Sequence, residues 1–246
     1  MRPWLALVGA EMKMVARDTG GLVIPLGLPV LILVMNGLGN QGEVIPGTGG
    51  RTAIDLFILP VVLTMVVATI GVINLPSFLA GYRRAGILRR LAVTPTPPMR
   101  VLVAQLVTSL VQTLVGIAFA LLVAVLAFDV RLPASPILAF GVFGLAALAM
   151  YAIGLLIAAL APTANSSVAI GLVAFFAMGA VGGMFGGTRA LPDVLARVGE
   201  VLPFGAAVHA LGTAWAGNSP ALLHLVSLAA ATVIAGLVAA RFFRWE

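Results

Sequence analysis

The sequence contains no cysteine, which excludes a disulfide framework, a cysteine-ligated metal and a thiol nucleophile, and leaves the redox compartment open. Charge is also scarce: 9% of the 246 residues are charged, against roughly 25% in a soluble domain. The single lysine, Lys13, is followed by Met14, so there is no Gly-x-x-x-x-Gly-Lys-Ser/Thr loop to cradle the phosphates of a nucleotide. His209 and His224 are too far apart for HExxH, and neither is followed by glutamate, which excludes a zinc-protease helix of that kind. Near the N-terminus, charges run through to Asp18 and no small-residue cleavage site follows a short apolar core, so a cleaved signal peptide is not expected.

What is present is apolar. Hydrophobic residues make up 61% of the chain and the mean hydropathy is +1.16, which predicts an all-α integral membrane protein. The intervals between apolar runs are too short for a separate soluble core, so a single membrane domain over residues 1–246 is expected. The net charge of +6 comes from cations gathered at the ends of the apolar runs and not from a patch among polar neighbours, so no nucleic-acid partner is expected.

Six spans are predicted, at about 22–38, 54–80, 101–128, 137–160, 168–185 and 221–243. Before the first, Trp4, Leu5, Val8, Met12 and Val15 recur at spacings near three and four among Glu11, Lys13 and Arg17, which fits an interfacial helix over residues 1–20. Pro25 and Pro29 argue against a straight first span. Gly37, Gly39 and Gly42 spell GxGxxG, but nothing around them reads as a strand followed by a helix, so no nucleotide site follows.

Asp55 at the outer end of the second span is expected to reach water, and Asn74 with Pro76 near the inner end predicts a break or kink. In the third span Gln105, Thr108, Ser109 and Gln112 share one helical stripe, because steps of three, four and seven return to the same face. Such a stripe either holds helices together or lines a substrate path. The sequence from Ala161 to Ser167 reads as a short inner turn. Gly179, Gly183 and Gly187 lie four apart, a spacing that lets backbones approach and predicts a helix-contact face, with a dimer seam as one use of it. Residues 187–219 are too broken by Pro192 and Pro203 to span and too apolar for a free loop, so a re-entrant or interfacial external hairpin is predicted. His209 is expected as an interfacial residue of that hairpin, and His224 at the mouth of the sixth span.

Counting Lys and Arg, the inner segments hold ten (Arg2, Lys13, Arg17, Arg83, Arg84, Arg89, Arg90, Arg100, Arg241, Arg244) and the outer segments four (Arg51, Arg131, Arg189, Arg197). That asymmetry places both termini in the cytoplasm of a multi-pass cell (inner) membrane protein.

Residues 81–100, GYRRAGILRRLAVTPTPPMR, hold five of the fourteen basic residues between two apolar runs. Read at about 100° per residue, Ile87, Leu88 and Leu91 share a narrow face, with Arg83, Arg89 and Arg90 beside or behind it. The pattern predicts a short amphipathic helix from Tyr82 to Ala92 that stops at Thr94, ahead of Pro95. A loop serving only to keep its charges inside would need no apolar face. The order Tyr82-Arg83, Gly86-Ile87-Leu88-Arg89-Arg90-Leu91, Thr94-Pro95 resembles the cytoplasmic signature of ABC-2 type permeases. In particular it is similar to the drug-export, daunorubicin-resistance-like subunits. Arg84 and Ala85 depart from that signature, which has an acidic residue followed by a basic one, and any ion pair of the acidic residue is lost here. The order Gly182-Gly183, Phe185, Leu191-Pro192, Leu202-Pro203, His209-Ala210-Leu211, Trp215, Gly217 also looks like this family.

The resemblance implies that residues 81–100 form a coupling helix docking on a separate ABC ATPase, with Tyr82, Arg83, Gly86, Ile87, Leu88, Arg89, Arg90, Leu91, Thr94 and Pro95 as coupling residues. It implies an N-terminal elbow helix, and a second copy or a related permease completing the pathway in the lipid bilayer. The chain itself would be non-catalytic and would bind no cofactor, with ATP and Mg on the partner ATPase. Because the spans offer no obligate counter-charge at the bilayer centre, an amphipathic or apolar substrate is expected, a drug-like natural product or a lipid. A secondary transporter or channel would need a buried ionisable group in the spans. An intramembrane protease would need a positioned serine, and Ser227, at i+3 from His224, has no glycine-rich turn to activate it.

Overall fold

The computed structural model describes residues 3–39, 44–46, 48–84, 86, 99–188 and 191–242. Among these the only β contact is an isolated bridge between Val44 and Thr52, and the fold is all-α. The helices are α1 (Pro3–Arg17), α2 (Thr19–Gly39), α3 (Ile54–Arg84), α4 (Met99–Phe128), α5 (Pro136–Leu160), α6 (Ala164–Val181), α7 (Asp193–Val201), α8 (Pro203–Trp215) and α9 (Leu222–Phe242). Six of them, α2 to α6 and α9, are long and apolar enough to cross a membrane. The pair α7 and α8 bends by 80° at Leu202-Pro203, where the proline ring cannot continue the preceding helix but starts the next one.

The bundle is built around α3. In its most apolar stretch 83% of residues are buried, against 22% for α2, α6 and α9. It is apolar all round, as a helix enclosed by others must be, and α2, α4, α5, α6 and α8 surround it. Its winding is not uniform. Two π-helical stretches, Ile54–Ile58 and Thr69–Asn74, interrupt the α-helix, and such stretches widen one turn and free carbonyls from the usual ladder. Helices on either side close on the second stretch through glycine. A Cβ on Gly154 of α5 would collide with the Gly71 carbonyl oxygen, and one on Gly171 of α6 would come within 2.5 Å of the Val72 carbonyl oxygen. The expected break at Asn74 and Pro76 is therefore a π-helical turn directly ahead of Leu75, and the helix continues past it to Arg84.

Several helix boundaries differ from the expected ones. The fifth span begins at Ala164, inside the segment read as a turn, because Thr163 caps it: the Thr163 hydroxyl accepts from Ser166 N (3.0 Å), and the Ser166 hydroxyl accepts from Thr163 N (2.9 Å). It ends at Val181 and not at Phe185, since Gly183, Gly186 and Gly187 all take positive φ. Gly183 and Gly187 thus lie past the helix, and their spacing from Gly179 does not make one helical face. Gly179 itself is buried on α6 against Met184. Asp55, expected to reach water, is 1% exposed. Its Oδ2 accepts from Thr52 N (2.6 Å) and the Thr52 hydroxyl (2.9 Å), and its Oδ1 from Arg131 N (2.8 Å). Arg131 O in turn accepts from Trp215 Nε1 (2.9 Å), and Arg131 Nη1 donates to Gly49 O (2.8 Å). One buried carboxylate thereby ties the loop before α3 to the loop after α4 and the end of α8.

Candidate functional site

The C-terminal end of α3, the end that the charge distribution predicts to be the inner one, is where the central helix passes into the basic segment, and two of its last side chains turn back onto the protein. Tyr82 is 6% exposed and its hydroxyl donates to the carboxylate of Glu11 on α1. Glu11 is itself buried, at 7% exposed, and burial pushes its carboxyl above the usual carboxylate range while the Tyr82 hydrogen bond partly opposes that shift. Arg83 donates to the carbonyls of Ala158 and Ala161 at the C-terminal end of α5, where carbonyls without helical partners favour a cation. The last turn of α3 is thus held to α1 on one side and to α5 on the other.

Past that turn, Gly86 adopts φ +65° and its N–H reaches Arg83 O (3.1 Å), a left-handed conformation that glycine takes at helix C-termini without strain. The expectation of one amphipathic helix starting at Tyr82 is corrected here. Tyr82 and Arg83 belong to α3 and point inward, and a positive-φ glycine separates them from the rest of the segment. The periodicity across Gly86 could not register this, because spacing carries no sign of φ. Ile87, Leu88, Arg89, Arg90, Leu91, Thr94 and Pro95 lie outside the described residues.

The polar stripe of α4 is buried. Gln105, Thr108, Ser109 and Gln112 are each at most 7% exposed. Gln112 Nε2 donates to Gly21 O on α2 (2.5 Å), and the same carbonyl accepts from Asn74 Nδ2 of α3 (2.7 Å). One residue on, the Thr113 hydroxyl meets the Tyr151 hydroxyl of α5 at 2.6 Å, and that hydroxyl also lies 3.1 Å from Ser109 O. α2, α3, α4 and α5 are therefore joined by side-chain hydrogen bonds inside the bundle, which an apolar surrounding makes costly to leave unmade. Gln105 Oε1 and Thr108 Oγ1 are buried without a partner among the described residues.

Sequence reasoning missed Glu11, Thr113 and Tyr151 as partners. Glu11 had a readable signal, being four residues ahead of Val15, which is buried on the same face of α1. Tyr151 had none beyond being the only polar ring in its span. Where the bent pair meets α9, Ser227 donates to Val201 O and His224 pairs with Glu200, so this serine and this histidine serve different partners and do not form a nucleophile–base pair.

A family model described as ABC-2 family transporter protein matches residues 41–241. Comparison with curated proteins finds no match. The match runs from the loop before α3 to the end of α9 and takes in the central helix, the basic segment and the bent pair. With six helices long and apolar enough to cross a membrane, one of them the buried α3, this chain belongs to the ABC-2 transporter family.

Proposed function

We propose that the chain is the membrane-spanning subunit of an ATP-driven exporter in the cell membrane, with both termini in the cytoplasm, moving an amphipathic or hydrophobic compound, a drug-like natural product or a lipid. A separate ABC ATPase, which carries ATP and Mg, binds the inner face through residues 81–100, and a second permease copy or a related permease completes the pathway. The observation that carries this reading is the continuity of α3. It is enclosed by five helices and runs unbroken from the outer loops into the basic segment, so a displacement at its inner end is delivered to the middle of the bundle. α1 would lie on the inner leaflet as an elbow, and α7–α8 would enter the outer leaflet without crossing.

The test is Leu91→Asp in the full chain. A carboxylate placed in a desolvated contact without a partner costs roughly 2 to 5 kcal/mol, and 1.4 kcal/mol is a factor of ten, so the association should weaken at least about thirtyfold. Co-purification of a nucleotide-binding subunit and efflux of a hydrophobic dye are measured at equal expression and unchanged topology. Loss of both is expected. Parent values for both would reduce the basic segment to a topogenic loop, and a tagged parent that pulls down no ATPase at all would favour a secondary transporter or channel.

A further inference from the structure

The hairpin α7–α8 meets the start of α9 through three ionisable side chains. Glu200 stands in the last turn of α7, His209 in the middle of α8 and His224 in the first turn of α9. The two imidazole rings stack with centroids 5.3 Å apart and planes 17° apart. His224 Nε2 is 3.1 Å from Glu200 Oε1, and its Nδ1 is buried with no hydrogen-bond partner among the described residues. Beside the stack, Ala206 and Ala207 of α8 pack with Leu228 of α9 and Ala146 and Ala149 of α5 in a fully enclosed apolar cluster.

We propose that the His209–His224 stack is a proton-binding site through which acid on the outer side releases the hairpin α7–α8 from α9. One imidazolium in the stack is balanced by Glu200. A second puts two like charges 5.3 Å apart in a largely desolvated contact, where repulsion is poorly screened. No other counter-charge is at hand among the described residues. α5 and α6 carry no charged residue, and α8 carries no ionisable group besides His209. On α7, Asp193 is two turns from Glu200 with Arg197 between them, and Arg241 is at the opposite end of α9. On α3, Asp55 is occupied by Thr52 and Arg131, while Arg83 and Arg84 are at the inner end. Because the two rings belong to different elements, the repulsion is relieved by separating them, and that movement opens the apolar contact behind.

The direction follows from linkage. Burial, and then the neighbouring His224, hold the His209 imidazolium below the usual histidine range, with Glu200 partly opposing. The docked hairpin therefore binds protons less readily than the undocked one. Docking weakens as pH falls below about 6.5, the ordinary histidine value.

Since the chain has no cysteine, a single Ala207→Cys reports on the enclosed contact in the full-length protein in lipid nanodiscs. Its labelling rate with a water-soluble maleimide is divided by that of Asn218→Cys, an exposed position, at each pH, which cancels the titration of the thiol. From about pH 7.5 to about pH 5.5, across the histidine range, the ratio should rise at least about fivefold, as a shift of roughly 1 kcal/mol in the docking equilibrium produces. His209→Phe, which keeps a stacked ring but cannot bind a proton, and His209→Gln should both give a flat ratio. A flat ratio in the parent, or a rise retained in both variants, would overturn the assignment.

Discussion

The two ends of α3 are held by different chemistry. At the outer end the Asp55 carboxylate accepts from two backbone N–H groups and one hydroxyl, and the network extends through Arg131 to Trp215 and Gly49. At the inner end, the Tyr82 hydroxyl donates to Glu11 and lies 3.9 Å from the Met14 sulfur, and Arg83 reaches two carbonyls from a flexible stem. Backbone donors cannot be repositioned without moving their loops, whereas a phenol or a guanidinium can let go by rotating. The outer end is thus an anchor and the inner end a releasable hold, which is the arrangement needed if the basic segment is to move the helix.

The sharpest way to break that comparison is Asp55→Ala. It strips the acceptor from three donors in a buried site, and donors left without partners cost about 1 to 3 kcal/mol each. Together the three amount to at least about 3 kcal/mol, which corresponds to a Tm lowered by at least roughly 6 °C for a chain of this size. Thermal unfolding in detergent measures it, and Tyr82→Phe should move Tm by no more than a few degrees. Equal losses at the two positions would remove the distinction between anchor and hold.

The middle of α3 comes next in size. Gly154→Ala drives a Cβ into the Gly71 carbonyl oxygen at the π-helical turn, while Gly236→Ala on α9 meets nothing within 4 Å. Overpacking of this kind costs about 1 to 3 kcal/mol, or roughly 2 to 12 °C in Tm. The α9 substitution should be neutral or slightly stabilising, because alanine is the better helix former. A neutral Gly154→Ala would mean that α5 does not grip the π turn as tightly as the backbone contact indicates.

What the sequence made legible follows the strength of each local signal. The number of spans and the length of the second come from long apolar runs, whereas the enclosure of that second span by five other helices is seen only in the packing. The start of α6 was misplaced because a Thr163–Ser166 capping pair is polar and looks like a turn by composition. The glycines after Val181 were assigned to a helix face because spacing alone does not distinguish an α-helical glycine from one at φ +90°, as at Gly183. Asp55 was expected in water because nothing in its sequence neighbourhood announces that Arg131, seventy-six positions away, supplies a backbone donor. Tyr82 and Arg83 were read as partner-facing for the same reason: their acceptors, Glu11 and the α5 carbonyls, are far off in the chain. Long-range polar partnering was illegible, and hydrophobic periodicity was not.

The smallest expected effect concerns the hold at the inner end. Glu11 carries a pKa raised by burial and partly lowered again by the Tyr82 hydrogen bond. The docked α1 therefore keeps a proton on Glu11 to higher pH than the undocked helix does, and docking loses free energy as pH rises above the ordinary carboxylate value. Glu11→Gln keeps an amide oxygen for the Tyr82 hydroxyl and removes the ionisation. It should abolish the part of the pH dependence that comes from this group, leaving α1 docked equally well at acid and neutral pH. Trypsin cleavage after Lys13 and Arg17, both exposed on α1, reports undocking when normalised to a peptide substrate at each pH. In the parent the normalised rate should climb from acid to neutral pH, and in Glu11→Gln it should stay level. A parent rate that is level as well would mean that the Tyr82 bond alone compensates for burying the carboxylate, making the inner hold as fixed as the outer anchor.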